Sequence, residues 1–72
     1  MDGFSKRIKQ LRTERNIFQK NIAEHLGITV RTYQYYESGE LEPNLENLVK
    51  LADFFKVSMD DLLGRADNPD VK

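Results

Sequence analysis

Two short helical patterns, separated by only a few residues within 19–39, constrain the fold of this chain more than any other feature. The first pattern covers residues 19–26, where Ile22, Ala23 and Leu26 recur at helical spacing on one face. Because so few residues separate the two helices, they must cross closely, and Ala23 provides the small side chain that a close crossing needs. The pattern therefore predicts two packed helices joined by a sharp turn.

The turn between these helices contains the residue types that a tight connection requires. Gly27 ends the first helix, because glycine adopts a positive φ without a steric penalty at Cβ. Ile28 is an isolated apolar residue that can plug the turn, and the Thr29 side chain can accept a hydrogen bond from a free N–H of the next helix. The second helix is predicted over residues 30–38 and ends at Gly39.

The second helix has two faces of different chemistry. Helical phase places Tyr33 and Tyr36 on the inner face, and we expect the Tyr33 hydroxyl to lie near the rim, where it reaches water. Arginine and glutamine, which form paired hydrogen bonds with guanine and adenine edges, lie on the outer face. This face consists of Val30, Arg31, Gln34, Tyr35 and Ser38. An outward helix of this kind, braced by another helix, is helix-turn-helix geometry.

These residues resemble the helix-turn-helix of the Cro/CI (XRE) family of phage and bacterial repressors. The matching positions are Gln19 at the start, Ala23 in the middle, Gly27 in the turn, and Tyr-Glu-Ser-Gly at 36–39. The flanking segments RIKQLRTERN and EPNLENLVKLADFFKVSMDDLLG match as well, so the resemblance covers residues 4–64. It implies an all-α fold, a five-helix lambda-repressor-like bundle with the helix-turn-helix at helices 2 and 3.

The resemblance also implies roles for single residues. It pairs Arg12 with Glu37, which would link the first helix to the third. The alternative for these two residues is a pair of independent surface charges of little energetic value. The resemblance further implies that Gln19, at the start of the second helix, holds the DNA backbone and braces the reading helix.

Three features depart from the family pattern. Phe18 replaces a capping threonine or serine, which removes a cap worth about 1 kcal/mol, although its ring can pack against Ile22. Tyr35 stands where lysine or arginine is frequent. The loop GELEP has Glu40 and Glu42 where basic residues often contact phosphates. Either this loop turns away from DNA, or the acidic side chains reduce non-specific affinity.

Charge is distributed unevenly along the chain, although the formal net charge is only −1. Residues 1–36 carry seven Lys/Arg and three Asp/Glu, for a net charge of +4, whereas residues 37–72 carry four and nine, for a net charge of −5. This asymmetry predicts a basic half that suits phosphate and an acidic half that faces away. Cysteine, a signal-peptide pattern and a membrane-length apolar run are all missing, so we expect a soluble, cytoplasmic protein.

Apolar stripes predict two further helices. The first helix is expected over residues 4–15, with Phe4, Ile8 and Leu11 on its buried face. The fourth helix follows a capping Asn44. Its apolar stripe is assigned to the core and consists of Leu45, Leu48, Val49, Ala52 and Phe55.

A fifth, short helix and a polar tail are predicted at the end of the chain. Ser58 begins the helix in a capping box with Asp61, and Gly64 ends it. The following RADNPDVK segment is polar and contains Asn-Pro. We therefore divide the chain into a helix-turn-helix DNA-binding domain over residues 1–64 and a polar tail or linker stub over residues 65–72.

Catalysis and metal binding have no supporting residues in this sequence. His25 is the only histidine and lies beside Glu24 on the predicted exposed face of the second helix, which favours an ordinary surface residue. Asp60 and Asp61 are adjacent and do not share a helix face, so they do not suit an acid–base pair. We expect no enzymatic activity, cofactor, metal ion or small-molecule ligand.

We expect a sequence-specific, double-stranded DNA-binding transcriptional regulator, a repressor that binds a palindromic operator as a homodimer. Val30, Arg31 and Gln34 are expected to read bases. The homodimer contact is assigned to Leu41 and Phe54, which should be partly exposed and contribute nothing to the core. DNA backbone contacts are expected from Lys6, Arg7, Lys9, Gln19, Lys20, Thr29, Tyr35 and Asn44.

Two alternatives stay open at this point. The basic residues of the first helix can equally form a solvated charged face. The whole fold can also serve as a protein-interaction module of the antitoxin or anti-repressor type, which the acidic GELEP loop and the exposed Tyr35 favour slightly. Salt dependence separates the two functions, because DNA affinity falls with salt at a slope of about −0.9 per neutralised phosphate.

Overall fold

The computed structural model describes residues 3–64, which form five α-helices and no strand. The helices are α1 Phe4–Glu14, α2 Gln19–Leu26, α3 Val30–Ser38, α4 Leu45–Phe55 and α5 Met59–Leu62. The predicted all-α, five-helix architecture is therefore confirmed, and α2 and α3 have the expected bounds. The predicted tail, residues 65–72, lies outside the described residues. No helix of the described part is long and apolar enough to cross a membrane.

Side-chain caps define the start of three helices. Thr29, Asn44 and Ser58 precede α3, α4 and α5, and each side chain accepts a hydrogen bond from the backbone N–H three residues later. Phe18 precedes α2 in the same extended backbone conformation but provides no side-chain cap. The helix-turn-helix therefore begins with an uncapped helix, as the sequence predicted.

A single apolar core joins all five helices. The buried stripes expected on α1 and α2 are present, and Ala23 is only 2% exposed at the crossing of α2 and α3. Ile28 packs against this core from the turn, as expected. The core consists of Phe4, Ile8, Leu11, Ile22, Ala23, Leu26, Tyr33, Tyr36, Leu51, Ala52, Phe55 and Leu62.

The expected core stripe of α4 is wrong at two positions. Leu45 is 70% exposed and Val49 is 44% exposed, whereas Leu51, which the sequence analysis left out, is fully buried. Leu51 lies three residues after Leu48 and four before Phe55, so these three residues form the face that meets the core. Leu45 and Val49 lie at the edge of that face and point out of the core.

Phe54 is partly exposed, as expected, but it also packs against the core, contrary to expectation. It packs against the core cluster, with its ring centroid 5.3 Å from that of Phe55 and 5.1 Å from that of His25 on α2. Successive residues of an α-helix are rotated by about 100°, so Phe54 and Leu45, nine positions apart, lie on opposite sides of α4. The ring of Phe54 therefore joins α4 to α2, and Leu45 lies on the opposite, exposed side of α4.

An ion pair closes the bundle between α1 and α5. Arg7 Nε donates to Asp61 Oδ1 at 2.8 Å, and Arg7 Nη2 donates to Asp61 Oδ2 at 3.1 Å. The Asp61 backbone N–H donates to Ser58 Oγ, so one half of the expected capping box forms. In a complete capping box the Asp61 carboxylate would accept a hydrogen bond from the backbone N–H of Ser58. Here that carboxylate binds Arg7.

Candidate nucleic-acid interface

Two glycines in the left-handed conformation define the ends of the helix-turn-helix. Gly27 has φ +72° and its N–H donates to the carbonyl groups of Ala23 and Glu24, which ends α2. Gly39 has φ +85° and its N–H donates to the carbonyl of Tyr35, which ends α3. An L-residue with a Cβ rarely adopts these angles, so both stop signals in the sequence follow from backbone geometry.

The expected ion pair between Arg12 and Glu37 forms beneath α3. Arg12 Nε donates to Glu37 Oε2 at 2.5 Å, and Arg12 Nη2 donates to Glu37 Oε1 at 3.1 Å. Only 16% of the arginine side chain and 6% of the glutamate side chain are exposed. Arg12 Nη1 also donates to the Ile17 carbonyl at 3.1 Å, so the guanidinium links α1, the α1–α2 connection and α3.

Tyr33 binds the same carboxylate, which corrects the prediction for its hydroxyl. Tyr33 is fully buried, and its hydroxyl donates to Glu37 Oε2 at 2.7 Å rather than reaching water at the rim. Tyr33 and Glu37 are four residues apart on α3, so their side chains meet on one face. Burial, and then the hydrogen bond to the carboxylate, raise the pKa of Tyr33, which keeps the phenol protonated as a donor.

A relay of side-chain amides extends from Glu37 to the outer surface of α3. Gln19 Nε2 donates to Glu37 Oε1 at 3.2 Å, and Gln34 Nε2 donates to Gln19 Oε1 at 3.1 Å. Gln19 therefore braces α3 through two contacts, one partly buried and one exposed. We refer to the five connected side chains as the Glu37 network: Arg12, Gln19, Tyr33, Gln34 and Glu37.

Electrostatics favour the ionised form of this network. Desolvation on its own would raise the pKa of Glu37, but hydrogen bonds from Arg12, Tyr33 and Gln19 outweigh it, and the pKa lies below its ordinary value. The hydrogen bond to Glu37 likewise raises the pKa of Arg12. The carboxylate accepts from three side chains, and no buried side-chain nitrogen or oxygen of the described residues lacks a partner.

The outer face of α3 presents the three residues expected to read bases. Val30 is 38% exposed, and Arg31 and Gln34 are also exposed. Arg31 Nε donates to the Tyr35 hydroxyl oxygen at 2.9 Å, and Arg31 Cζ lies 5.7 Å from the centroid of the Tyr35 ring. Arg31 and Tyr35 are therefore joined along the exposed surface of the helix.

The residues expected to contact phosphates have different surroundings. Lys6, Lys9 and Lys20 are exposed, and Thr29 and Asn44 are exposed caps of α3 and α4. The Arg7 guanidinium instead binds Asp61 and also donates through Nη1 to Gln10 Oε1 at 3.0 Å. This double engagement argues against the expected phosphate contact for Arg7.

The acidic loop after α3 folds back on the end of that helix. The Leu41 N–H donates to the Tyr35 carbonyl at 3.2 Å, and Ser38 Oγ donates to Glu40 Oε1 at 3.3 Å. Glu40, Leu41 and Glu42 are all exposed. Pro43 is buried, so the loop returns to the body of the protein before α4 begins.

Some contacts between distant residues were missed by sequence reasoning. Asn47 Nδ2 donates to the Tyr36 hydroxyl at 3.2 Å, which joins α4 to the inner face of α3. Arg15 Nη1 donates to the Phe55 carbonyl, which holds the end of α4 against α1. Neither contact has a local signal, because the partners are 11 and 40 residues apart along the chain.

The fold and the site together define a helix-turn-helix protein, and comparisons with known proteins agree. The family model described as Helix-turn-helix (HTH_3) matches residues 8–62. The chain is 44% identical over 59 residues to the cryptic phage CTXphi transcriptional repressor RstR of Vibrio cholerae serotype O1, covering 82% of this chain and 53% of that protein. It is 46% identical over 59 residues to the HTH-type transcriptional regulator AnsR of Bacillus subtilis, covering 82% and 51%.

A solved structure shares the same architecture. The crystal structure of a transcriptional regulator from Listeria innocua superposes with a TM-score of 0.82 at 39% identity, covering 85% of this chain and 57% of that one. The chain belongs to the helix-turn-helix (XRE, Cro/CI-like) family of transcriptional regulators, which is not a family of enzymes. It spans about half the length of the curated relatives it matches.

Proposed function

We propose that this chain binds double-stranded DNA in a sequence-specific manner through α3 and represses transcription. The observation that carries the proposal is the contrast between the largely buried Arg12–Glu37 pair, which ties α3 to α1, and the exposed Arg31 and Gln34 on the outer face of α3. Direct readout needs a helix held at a fixed position, with arginine and glutamine free to meet base edges in the major groove.

Val30 complements these two polar readers. It is the first residue of α3 and is 38% exposed, so its methyl groups can contact the methyl group of a thymine. Recognition helices in helix-turn-helix proteins contact bases mainly with their N-terminal residues. Val30, Arg31 and Gln34 occupy the first and second turns of α3, which fits that docking mode.

Phosphate contacts would position α3 in the groove. We propose Gln19, Lys20 and Thr29 for this role because they lie at the starts of α2 and α3, where backbone N–H groups and the helix dipole favour an anion. Asn44, Lys6 and Lys9 are retained as further contacts because their side chains are exposed. Arg7 is left out because Asp61 and Gln10 bind it.

Repression rather than activation is supported by the name of one relative, the phage repressor RstR. Another relative, 38% identical over 60 residues, is the HTH-type transcriptional activator BcrR of Enterococcus faecalis. A reporter gene downstream of the selected site would show whether the protein represses or activates transcription. Lower reporter output in the presence of the protein supports repression, and higher output contradicts it.

Selection of bound sites from random duplex DNA tests the DNA-binding proposal. We expect one short sequence to be enriched and to bind at least about 10³-fold more tightly than random duplex. Affinity should fall steeply with salt, because Lys20 and its neighbours displace counterions from phosphates. A matched control is the Arg31→Ala, Gln34→Ala double variant, which should fold normally and lose the sequence preference. A failure of wild-type protein to enrich any sequence would overturn the proposal.

We propose that the regulator binds a palindromic site as a homodimer. One recognition helix reads too few base pairs to select a site in a genome, and a two-fold dimer presents two helices about 34–36 Å apart. The exposed apolar side chains Leu41, Leu45 and Val49 follow one another at four-residue spacing, from the loop after α3 into α4, and form the proposed contact. They replace Phe54, which packs against His25 and the core.

A double and a single variant distinguish a dimer contact at Leu41 and Leu45 from one at Phe54. Leu41→Ser with Leu45→Ser should abolish cooperative binding to a full palindrome and leave half-site affinity and stability unchanged, because 44% and 70% of these side chains are exposed. Phe54→Ala should instead lower the melting temperature. Unchanged cooperativity in the leucine variant would exclude this surface.

The rival function, a protein-interaction module, gains support from one observation. The same exposed apolar side chains lie among acidic neighbours, Glu40, Glu42 and Glu46, which do not suit approach to phosphates. Under this alternative the chain would bind DNA only weakly and without sequence preference, and it would bind a protein partner tightly with an affinity that changes little with salt. The salt titration described above separates the two functions.

A further inference from the structure

We propose that Tyr35 is a positioning residue that prepares Arg31 to meet a single guanine with both terminal nitrogens of its guanidinium. The inference rests on the proposed reading of bases by α3 and adds a specificity-determining residue to it. It also changes the role of Tyr35, which the sequence suggested as a phosphate contact in place of a lysine or arginine.

The geometry restricts which edge of Arg31 remains available. Nε donates to the Tyr35 hydroxyl oxygen at 2.9 Å, and the structure shows no hydrogen bond from Nη1 or Nη2 to residues 3–64. An arginine can approach guanine O6 and N7 either with Nε and Nη2 or with Nη1 and Nη2. Because Tyr35 occupies Nε, the arrangement with both Nη atoms is the one left for paired hydrogen bonds with guanine.

The tyrosine ring limits the motion of the arginine as well. Arg31 Cζ lies 5.7 Å from the Tyr35 ring centroid, within the range of a cation–π contact. The two residues are four apart on α3, so the contact lies within one helix and needs no other element to form. An exposed arginine loses much rotamer freedom when it binds a base, and a partner that holds it beforehand reduces that loss.

The backbone of Tyr35 is fixed at the end of α3. Tyr35 is only partly exposed, and its backbone carbonyl accepts hydrogen bonds from Gly39 N–H and Leu41 N–H at the end of α3. A lysine or arginine at this position would attract phosphates over a long range. Tyr35 lacks that charge and instead makes a local contact with Arg31. In this arrangement Tyr35 acts through Arg31, and its effect on binding should disappear when Arg31 is removed.

A double-mutant cycle with Arg31→Ala and Tyr35→Phe tests the proposal. Tyr35→Phe removes the hydroxyl and keeps the ring, so thermal melts should show an unchanged fold. Affinities are measured for the duplex enriched by selection, for the same duplex with the guanine pair read by Arg31 replaced, and for random duplex. That guanine is the base pair at which Arg31→Ala loses discrimination.

We expect Tyr35→Phe to weaken binding to the selected duplex about two- to tenfold, as for loss of one preordered side chain. The same change should leave affinity for random duplex, and for the duplex lacking the guanine pair, unaltered. In the Arg31→Ala background it should have no effect on any duplex. These three results together support a positioning role.

Other outcomes overturn the inference. An equal loss on all three duplexes that persists in the Arg31→Ala background identifies Tyr35 as a phosphate contact. No loss on the selected duplex means that the contact with Arg31 does not contribute to recognition. Failure of the wild-type protein to prefer any duplex would be a failure of the proposed function instead, so the two cases are distinguished by the first measurement.

Discussion

The inner and outer faces of α3 differ in how their polar groups are satisfied. On the inner face, Tyr33 and Glu37 are bound by side chains from α1 and α2 or by each other, and Tyr36 is bound by Asn47 from α4. On the outer face, the side-chain contacts of Arg31 and Gln34 are surface contacts within the helix-turn-helix. The inner face therefore determines where α3 lies, and the outer face leaves its polar groups available to a partner.

This division predicts separate consequences for substitutions on the two faces. A change at Arg12, Tyr33 or Glu37 should lower the free energy of unfolding and affect binding only through the position of α3. A change at Val30, Arg31 or Gln34 should alter binding and leave the free energy of unfolding nearly unchanged, because exposed positions contribute little to stability.

Removal of one member of the Arg12–Glu37 pair should have the largest effect. Arg12→Met or Glu37→Leu alone leaves a largely buried charge without its partner and should lower the free energy of unfolding by about 3–5 kcal/mol. The double variant should recover part of that loss, because an apolar pair of similar volume leaves no unpaired charge. Urea denaturation of the four proteins measures the coupling directly.

Additive losses in that cycle would mean that the two side chains act independently, and the division between faces would then lose its main support. A surface pair provides the control. Glu46 and Lys50 form an i,i+4 ion pair at 3.3 Å with 72% and 41% of their side chains exposed. The same cycle there should give a coupling of only about 0.3–0.5 kcal/mol.

Acid should weaken the inner face through Glu37. The pKa of Glu37 in the folded protein lies below its ordinary value of 4.5, so below that pH the unfolded chain binds the proton more readily. The stabilisation is therefore complete at neutral pH and is lost as the pH falls through the folded pKa. The loss should be smaller than that caused by side-chain removal.

Glu37→Gln provides the matched reference for the pH experiment, because every other acidic group is retained. The difference in free energy of unfolding between wild type and this variant should be largest near neutral pH and should shrink as the pH falls below the ordinary glutamate pKa. A difference that does not depend on pH would show that Glu37 stabilises α3 without its charge.

On the outer face, Arg31 should affect binding and leave stability unchanged. Arg31→Ala should weaken binding to the preferred site by about 1–3 kcal/mol and relax the choice of base at one position, a guanine. Lys20→Ala should instead weaken binding to all sequences alike and reduce the salt slope by about 1. Equal losses on specific and random DNA for Arg31→Ala would remove Arg31 from the reading residues.

Local features of the structure, such as helix ends, were easier to predict from the sequence than contacts between distant residues. The bounds of α2 and α3 were predictable because glycines and a capping threonine determine helix ends within a few residues. The α4 stripe was misassigned because apolar residues follow one another on two neighbouring faces of that helix. Periodicity alone did not distinguish the face with Leu51 from the edge with Leu45.

Contacts between distant residues were recoverable only where a family pattern existed. The resemblance pointed to the Arg12–Glu37 pair, across 25 residues, but no pattern pointed to Arg7–Asp61, across 54 residues. The Tyr33–Glu37 hydrogen bond had a local signal, the four-residue spacing on α3, that the sequence analysis did not use. The exposure of Val30, Arg31 and Gln34 was predictable from helical phase, because it follows from their spacing on one helix and needs no distant partner.

The smallest expected effect is a gain in stability on the outer surface of the helix-turn-helix. Phe18 occupies the N-cap of α2 with an extended backbone (φ −80°, ψ 146°), makes no capping hydrogen bond and is 70% exposed. A serine in the same conformation can accept a hydrogen bond from a free N–H in the first turn of α2, and it gives up little apolar burial. Phe18→Ser should therefore raise the free energy of unfolding by about 1 kcal/mol.

Thr29→Ala is the matched control, because Thr29 caps α3 in a similar conformation and its Oγ1 accepts from the Thr32 N–H at 3.1 Å. Its removal should lower the free energy of unfolding by about 1 kcal/mol. Thermal and urea denaturation measure both changes in the free energy of unfolding. A gain for Phe18→Ser together with a loss for Thr29→Ala would mean that Phe18 is not present for the sake of stability. A loss on Phe18→Ser would instead mean that its ring packs against Ile22, and that this part of the outer surface supports the fold.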